Sequence, residues 1–186
     1  MPDIISFEDI KKKELINRIK QGDTFIYPTD TVYGLGCNAL KQGAVQLIRE
    51  IKKRDERPFS VIAPNKQWIT KNFEILNKNF IKKLPGPYTY ILGVKKRAVA
   101  RNVNPGVKTL GVRIPDHKFA DIIRKAGVPV ISTSVNFSGE KEAREISQIP
   151  KKILNSVDFV IDAGYLHNYP STLIDLTSEI PKLVKR

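Results

Sequence analysis

Thr24-Phe25-Ile26-Tyr27-Pro28-Thr29-Asp30-Thr31-Val32-Tyr33-Gly34-Leu35-Gly36 joins a short β-prone run to a polar, glycine-bearing segment. Pro28 sets the junction, because it has no N–H to give to a sheet ladder and so stops the strand. A loop is therefore predicted over residues 29–36, at a strand end. The two glycines permit a sharp turn or a close backbone approach to a ligand.

The same alternation extends outward from this stretch. Residues 7–20 carry Phe7, Ile10, Leu15, Ile16 and Ile19 at helical spacing, with Ser6 as candidate N-cap, Asp9 at the capping-box position and Gly22 as the stop. Residues 41–53 read as the next helix, with Ala44, Leu47, Ile48 and Ile51 on one face, which places Lys52 and Arg54 at its end beside a strand at 59–63. A helix is predicted over 73–84, closed by Pro85-Gly86-Pro87. Residues 88–94 and 109–114 are β-rich and can pair across a long, basic, Asn-bearing loop. Residues 119–126 read as a helix, and 129–133 as a buried strand running into Ser134-Val135-Asn136. Shorter strands are predicted at 158–161, 173–175 and 183–184. This is an α/β chain, one domain over residues 1–186, with a twisted mixed sheet and flanking helices. Its motif loops fall at strand ends, where such folds bind ligands.

Composition narrows the class. With 186 residues and 41% hydrophobic content, the chain is long enough to bury a substantial core. It has no twenty-residue apolar run and no basic or cleavable leader, so the expectation is a cytoplasmic protein without a membrane partner. The single Cys37 excludes an internal disulfide and reads as a small core residue. Net charge is +13, spread over short clusters such as Lys11-Lys12-Lys13, Lys52-Lys53-Arg54 with Arg57, and Lys95-Lys96-Arg97 with Arg101. That field attracts polyanions such as RNA and concentrates nucleotides. Solvated helix faces of a lysine-rich chain are the plainer account of the same clusters.

Several constellations point to anion chemistry. Gly34-Leu35-Gly36-Cys37-Asn38-Ala39 fits G-x-G-x-x-A with Asp55 downstream, but Asp55 falls between a helix and a strand rather than at the end of a second strand, so a dinucleotide site is disfavoured. Lys52 and Arg54 form K-x-R at a helix end, where both could turn toward one phosphate, Arg in bidentate fashion and Lys as a compact charge. A basic helix C-terminus favoured by the helix dipole is the alternative. Ser134 and Asn136, two apart after a strand, share a side and offer uncharged donors and acceptors. The alternative is an Asn-Phe-Ser-Gly turn with Gly139 at positive φ. Thr29, Asp30 and Thr31 beside Tyr33 could fix a small amino acid, or form an Asp-centred turn. No Ser-His-Asp or Cys-His set is visible, and His117 and His167 lack motif partners. An enzyme built this way relies on positioning and charge stabilisation.

Taken together, the P-T-D-T-V-Y-G-L-G, K-x-R and S-x-N motifs resemble the YrdC/Sua5 family of threonylcarbamoyl-adenylate synthases over nearly the whole chain. The resemblance implies a YrdC-like fold with a concave basic surface. It also implies synthesis of threonylcarbamoyl-AMP and pyrophosphate from L-threonine, bicarbonate and ATP with Mg²⁺, in a nucleotidyltransferase that serves tRNA t6A37 modification with a threonylcarbamoyl-transferase complex. By motif, Thr31 and Tyr33 resemble threonine contacts, and Arg113, in Thr109-Leu110-Gly111-Val112-Arg113-Ile114-Pro115, looks like the partner of the threonine carboxylate. Lys52 and Arg54 are implied as the catalytic pair on the ATP phosphates. Arg57, Thr109, Asn136, Arg144 and Lys185 are implied for the nucleotide, and Ser134 and Ser171 for substrate. Lys52-Lys53-Arg54-Asp55-Glu56-Arg57-Pro58 departs from the common K-G-R-P form and resembles in part the YciO branch and the related domain of hydrogenase-maturation carbamoyltransferases, and Pro170 replaces the acidic residue often found before S-T. A non-catalytic, YciO-like protein binding tRNA or double-stranded RNA is the alternative, with carbamoyl transfer within a larger system as a third reading. The sequence stops at Arg186, so a closing element is expected from elsewhere or not at all.

Overall fold

A computed structural model describes residues 2–54, 56–137 and 140–185. In chain order the elements are β1 (Asp3–Ser6), α1 (Lys12–Gln21), β2 (Phe25–Tyr27), β3 (Gly34–Gly36), α2 (Gln42–Lys52), β4 (Ser60–Ile62), α3 (Lys66–Asn72) and α4 (Lys78–Lys82). They continue with β5 (Tyr88–Gly93), β6 (Thr109–Arg113), α5 (Phe119–Ala126), β7 (Val130–Ser134), α6 (Lys151–Leu154), β8 (Phe159–Asp162), β9 (Thr172–Asp175) and β10 (Lys182–Val184). The strands form one mixed sheet in the order β1-β8-β2-β3-β7-β4-β6-β5-β9-β10. This is the α/β architecture the alternation implied, and β5 and β6 do pair, in antiparallel fashion.

Two apolar clusters cover the sheet. Leu15 and Ile19 of α1 and Phe119, Ile122 and Ile123 of α5 pack onto Phe25, Tyr27, Ile62, Val130, Phe159 and Ile161. Phe25 stacks on Phe159 at 4.9 Å and Tyr27 on Phe119 at 5.3 Å between ring centres. The larger cluster includes Ile48, Val61, Val112, Ile131 and Val160. Each such side chain contributes about 1.5–3 kcal/mol by leaving water. Cys37 is buried as expected, which raises its thiol pKa.

The structure corrects several sequence expectations. Ser6 ends β1 and makes no side-chain cap; a short 3-10 turn at Phe7–Asp9 precedes α1, which Gly22 closes at φ 107°. The segment read as loop contains β3, antiparallel to β2 through Phe25↔Gly36 and Tyr27↔Gly34. Gly34 and Gly36 therefore sit in a strand, not at the entry to a helix, and the dinucleotide fingerprint has no structural basis. Its Asp55, like the Gly139 of the proposed turn, lies outside the described residues. Of the helix read over 73–84 only Lys78–Lys82, α4, is helical, and α3 at Lys66–Asn72 lies before that range and was not expected. Asn65 caps α3 by accepting from the Trp68 amide at 2.7 Å, and Asn77 caps α4. On α2 the inward stripe is Ala44, Val45, Ile48, Arg49 and Lys52, while Leu47 is half exposed.

Candidate active site

On β4 and β7, side chains alternate faces with period two. Ile62 and Val130 face the core beneath α1 and α5. The same face then carries Ser60, Ser132 and Ser134, which line an open cleft of about 420 Å³. Arg113, at the end of β6, is paired with Ile62 of β4, and Ser134 of β7 with Gly34 of β3. By strand spacing, the Arg113 and Ser134 backbones lie on the order of 15 Å apart. The cleft also takes in Thr29, Thr31, Val32, Tyr33, Arg54, Thr89, Asn136, Glu140, Glu142, Pro170 and Ser171. Its size suits a small ligand.

At one end of the cleft, Arg113 donates to Asp30 Oδ1 at 2.6 Å and from both terminal nitrogens to Thr31 Oγ1 at 3.3 Å. Thr31 Oγ1 is in turn 2.9 Å from Thr29 Oγ1. Asp30 also accepts from the Asp116 amide at 3.1 Å. The polar triplet after β2 thus fixes one planar cation. Tyr33 plays a different part: its hydroxyl donates to the Gly164 carbonyl at 2.8 Å and accepts from the Ala163 amide at 2.9 Å. Burial raises that phenol to a pKa of about 12. Tyr33 ties the cleft wall to the end of β8. Ser171 Oγ is 2.8 Å from Thr89 Oγ1, across β5 and β9.

At the other end, α2 stops in a Schellman motif. The Lys53 amide bonds Glu50 O at 3.1 Å, and the Arg54 amide bonds Arg49 O at 2.9 Å. Lys53 takes the left-handed position at φ 47°. This turn separates the two motif cations. Lys52 points inward, donating to Ser134 O at 2.8 Å, to Asn136 Oδ1 at 3.0 Å and to Asn136 O. Arg54 faces the cleft, held to Pro58 O at 2.6 Å with its guanidinium 5.0 Å over the Phe59 ring. Burial, then the cations Arg49 and Arg57, lowers the Arg54 pKa, so an arriving anion would relieve local repulsion. Ser134 Oγ donates to Asn136 Oδ1 at 2.6 Å, and Asn136 Nδ2 donates to Glu140 O at 2.7 Å.

The twelve residues singled out from sequence divide accordingly. Thr31, Tyr33, Arg54, Arg113, Ser134, Asn136 and Ser171 share one cleft, whereas Arg57, Thr109 and Lys185 stand outside its lining. Thr109 begins β6, at the opposite end from Arg113, and Lys185 follows the edge strand β10. Lys52 lies behind the wall, and Arg144 stacks over the exposed Tyr169 ring at 5.1 Å. Sequence reading missed Arg49. This residue of α2 donates to the carbonyls of Asn102, Val103, Arg54 and Arg57 and packs 4.7 Å over Phe59, shaping the segment that carries Arg54. Its signal was its place three residues before Lys52 on the inward stripe. Also missed were Glu140 and Glu142, the cleft carboxylates, and Asp30 as the partner of Arg113.

Comparison with known proteins follows the same lines. The Sua5/YciO/YrdC family model, described as telomere recombination, matches residues 17–186. A putative threonylcarbamoyl-AMP synthase of Methanocaldococcus jannaschii is 37% identical over 180 residues, covering 90% of this chain and 79% of the relative. YciO of Escherichia coli K12, an uncharacterised protein, is 30% identical over 187 residues, covering 95% and 91%. Among solved structures, Pyrococcus abyssi Sua5 complexed with L-threonine matches with a TM-score of 0.87 at 27% identity, over 98% of this chain and 56% of that one. E. coli YciO matches with a TM-score of 0.84 at 27% identity, over 100% and 94%. The chain thus spans 56–60% of the Sua5 chains and nearly all of YciO.

Proposed function

Because the chain belongs to the Sua5/YciO/YrdC family, we propose that its cleft joins L-threonine, bicarbonate and ATP into L-threonylcarbamoyl-AMP, releasing pyrophosphate. The observation that carries this reading is the gathering of two anion-recognising ends into one cavity: Arg113 with Thr31 at one, Arg54 with Ser134 and Asn136 at the other. Their separation suits a product made of an amino acid joined to a nucleotide.

Threonine's carboxylate docks on Arg113, sharing that cation with Asp30, and its hydroxyl meets the Thr29–Thr31 pair or Ser171. The amine reacts with bicarbonate to give a carbamate and water. A carbamate oxygen then attacks the α-phosphorus of ATP, the bond to the bridging oxygen breaks, and pyrophosphate leaves toward Arg54, whose guanidinium offsets the developing charge. Asn136 and Ser134 orient the reacting groups without adding charge. Glu140 and Glu142, the carboxylates lining the cleft, are the hard oxygen donors that would hold a Mg²⁺ accompanying ATP, which would supply further charge neutralisation. Arg57, Thr109, Arg144 and Lys185 serve the nucleotide only where it extends past the cleft or the rim closes on it. The product passes to tRNA held on the basic surface and to a threonylcarbamoyl-transferase complex, in the cytoplasm.

Titration calorimetry tests the reading at its recognition step. L-Threonine is expected to bind wild type, more tightly with ATP present and more tightly than L-serine, and to be lost in Arg113→Gln. Absence of threonine binding with or without ATP, beside RNA binding that falls steeply with salt, would replace the enzyme with a YciO-like RNA-binding protein.

A further inference from the structure

The Lys52 ammonium has three N–H donors. Three oxygens receive them: Ser134 O, Asn136 O and Asn136 Oδ1. The residue is 6% exposed and does not line the cleft, whereas Arg54 does. Helical period explains the orientation, since Val45, Ile48, Arg49 and Lys52 stand at i, i+3, i+4 and i+7 and all four are buried. We infer that Lys52 is a positioning residue: its ammonium fastens the Ser134–Asn136 segment in its working shape, and only Arg54 of the motif pair meets phosphate. Asn136 Oδ1 accepts from both Lys52 and Ser134 Oγ, so the carboxamide orientation is fixed and its Nδ2 is committed toward Glu140 O. A compact ammonium fits three converging oxygens; a planar guanidinium does not. Glu140 and Glu142, whose carboxylates act favourably on the Lys52 charge, stand on the same segment and reinforce the attachment.

This assignment rests on the nucleotide reading of the cleft only in its second arm. In the first, amide hydrogen exchange is followed across residues 131–137 of the full chain without ligand, in wild type, Lys52→Met, Lys52→Arg and Arg54→Ala. Exchange is expected to rise about tenfold in both Lys52 variants and to stay at the wild-type rate in Arg54→Ala, the loss of a charge-assisted bond being worth at least that factor. In the second, Lys52→Arg is expected to weaken AMP and ATP by the same factor, about tenfold, with the thermal midpoint little changed. Arg54→Ala is expected to weaken ATP far more than AMP. Wild-type exchange in both Lys52 variants, or wild-type ATP affinity in Lys52→Arg, overturns the inference. If wild type binds neither nucleotide, the proposed function fails and the exchange arm alone decides the role of Lys52.

Discussion

A lysine charge taken out of water works against folding even when oxygens surround it. Burial, then Arg54, pushes Lys52 down to about 8 from its ordinary 10.5. The sign of the consequence is fixed: between those values the unfolded chain holds the extra proton, so stability rises with pH across that window. The Lys52 contribution is expected to grow by about 2 kcal/mol between pH 7.5 and 9.5. Urea denaturation of wild type against Lys52→Met checks this, because the difference between the two should change with pH by that amount; a constant difference would contradict it. A side chain retained against its own stability cost fits a positioning task. Arg113 differs, being paired with Asp30 at side-chain exposures of 7% and 9%. Replacing one partner strands the other charge, so Arg113→Gln should lose about 3 kcal/mol, with part recovered in the double variant that adds Asp30→Asn.

Lys53 shows how an element end can set chemistry. The Schellman turn of α2 needs a left-handed residue, and a lysine occupies it at φ 47°. Lys53→Gly is expected to gain about 0.5–1 kcal/mol by relieving that conformation, read as a higher urea midpoint at unchanged slope. The K-G-R form named from sequence places glycine at this very position. Strand β3 makes the opposite demand. A Cβ on Gly36 would overlap the Ile131 carbonyl oxygen and crowd Tyr27, so Gly36→Ala should lose about 1–3 kcal/mol in the same assay. That close packing also explains why β3 was read as loop: Gly-Leu-Gly has no β propensity, and neighbouring strands impose its conformation. By contrast, α5 was legible to its ends, since Phe119, Ile122, Ile123 and Ala126 keep strict helical spacing before Gly127. The 73–84 helix failed in its first half because Phe73 leaves α3 in an extended conformation and bridges to Val94, and the Asn77 cap starts α4 only at Lys78. On α2 the apolar letters Leu47 and Ile51 misplaced the stripe, since two of its inward positions are the cations Arg49 and Lys52. Motif spacing located Arg54, Arg113, Ser134 and Asn136, but it could not show that Lys52 faces the other way.

Over the whole molecule, strand order turns distant motifs into one site. Ser134 of β7 lies between the sheet's two halves, with β3 on one side and β4 leading to β6 and Arg113 on the other. The segment after β2 crosses toward β6 so that Asp30 and Thr31 meet Arg113. None of these long-range pairings is visible in local periodicity. Among the described residues no helix is long and apolar enough to cross a membrane. The net charge of +13 is compatible with the proposed use of nucleotides and RNA, although the cleft is lined by Glu140 and Glu142 as well as by Arg54 and Arg113. Charge on the outer surface and selectivity in the cleft are therefore separable, and RNA affinity alone would not establish catalysis. The decisive measurement is incubation of the purified protein with ATP, Mg²⁺, ¹³C-bicarbonate and either L-threonine or L-serine, followed by mass spectrometry and pyrophosphate assay. The expected result is a threonine-dependent adenylate carrying one ¹³C, with equimolar pyrophosphate, abolished in Arg54→Ala. Folded wild-type protein that yields neither the labelled adenylate nor pyrophosphate would contradict the assignment of a synthase.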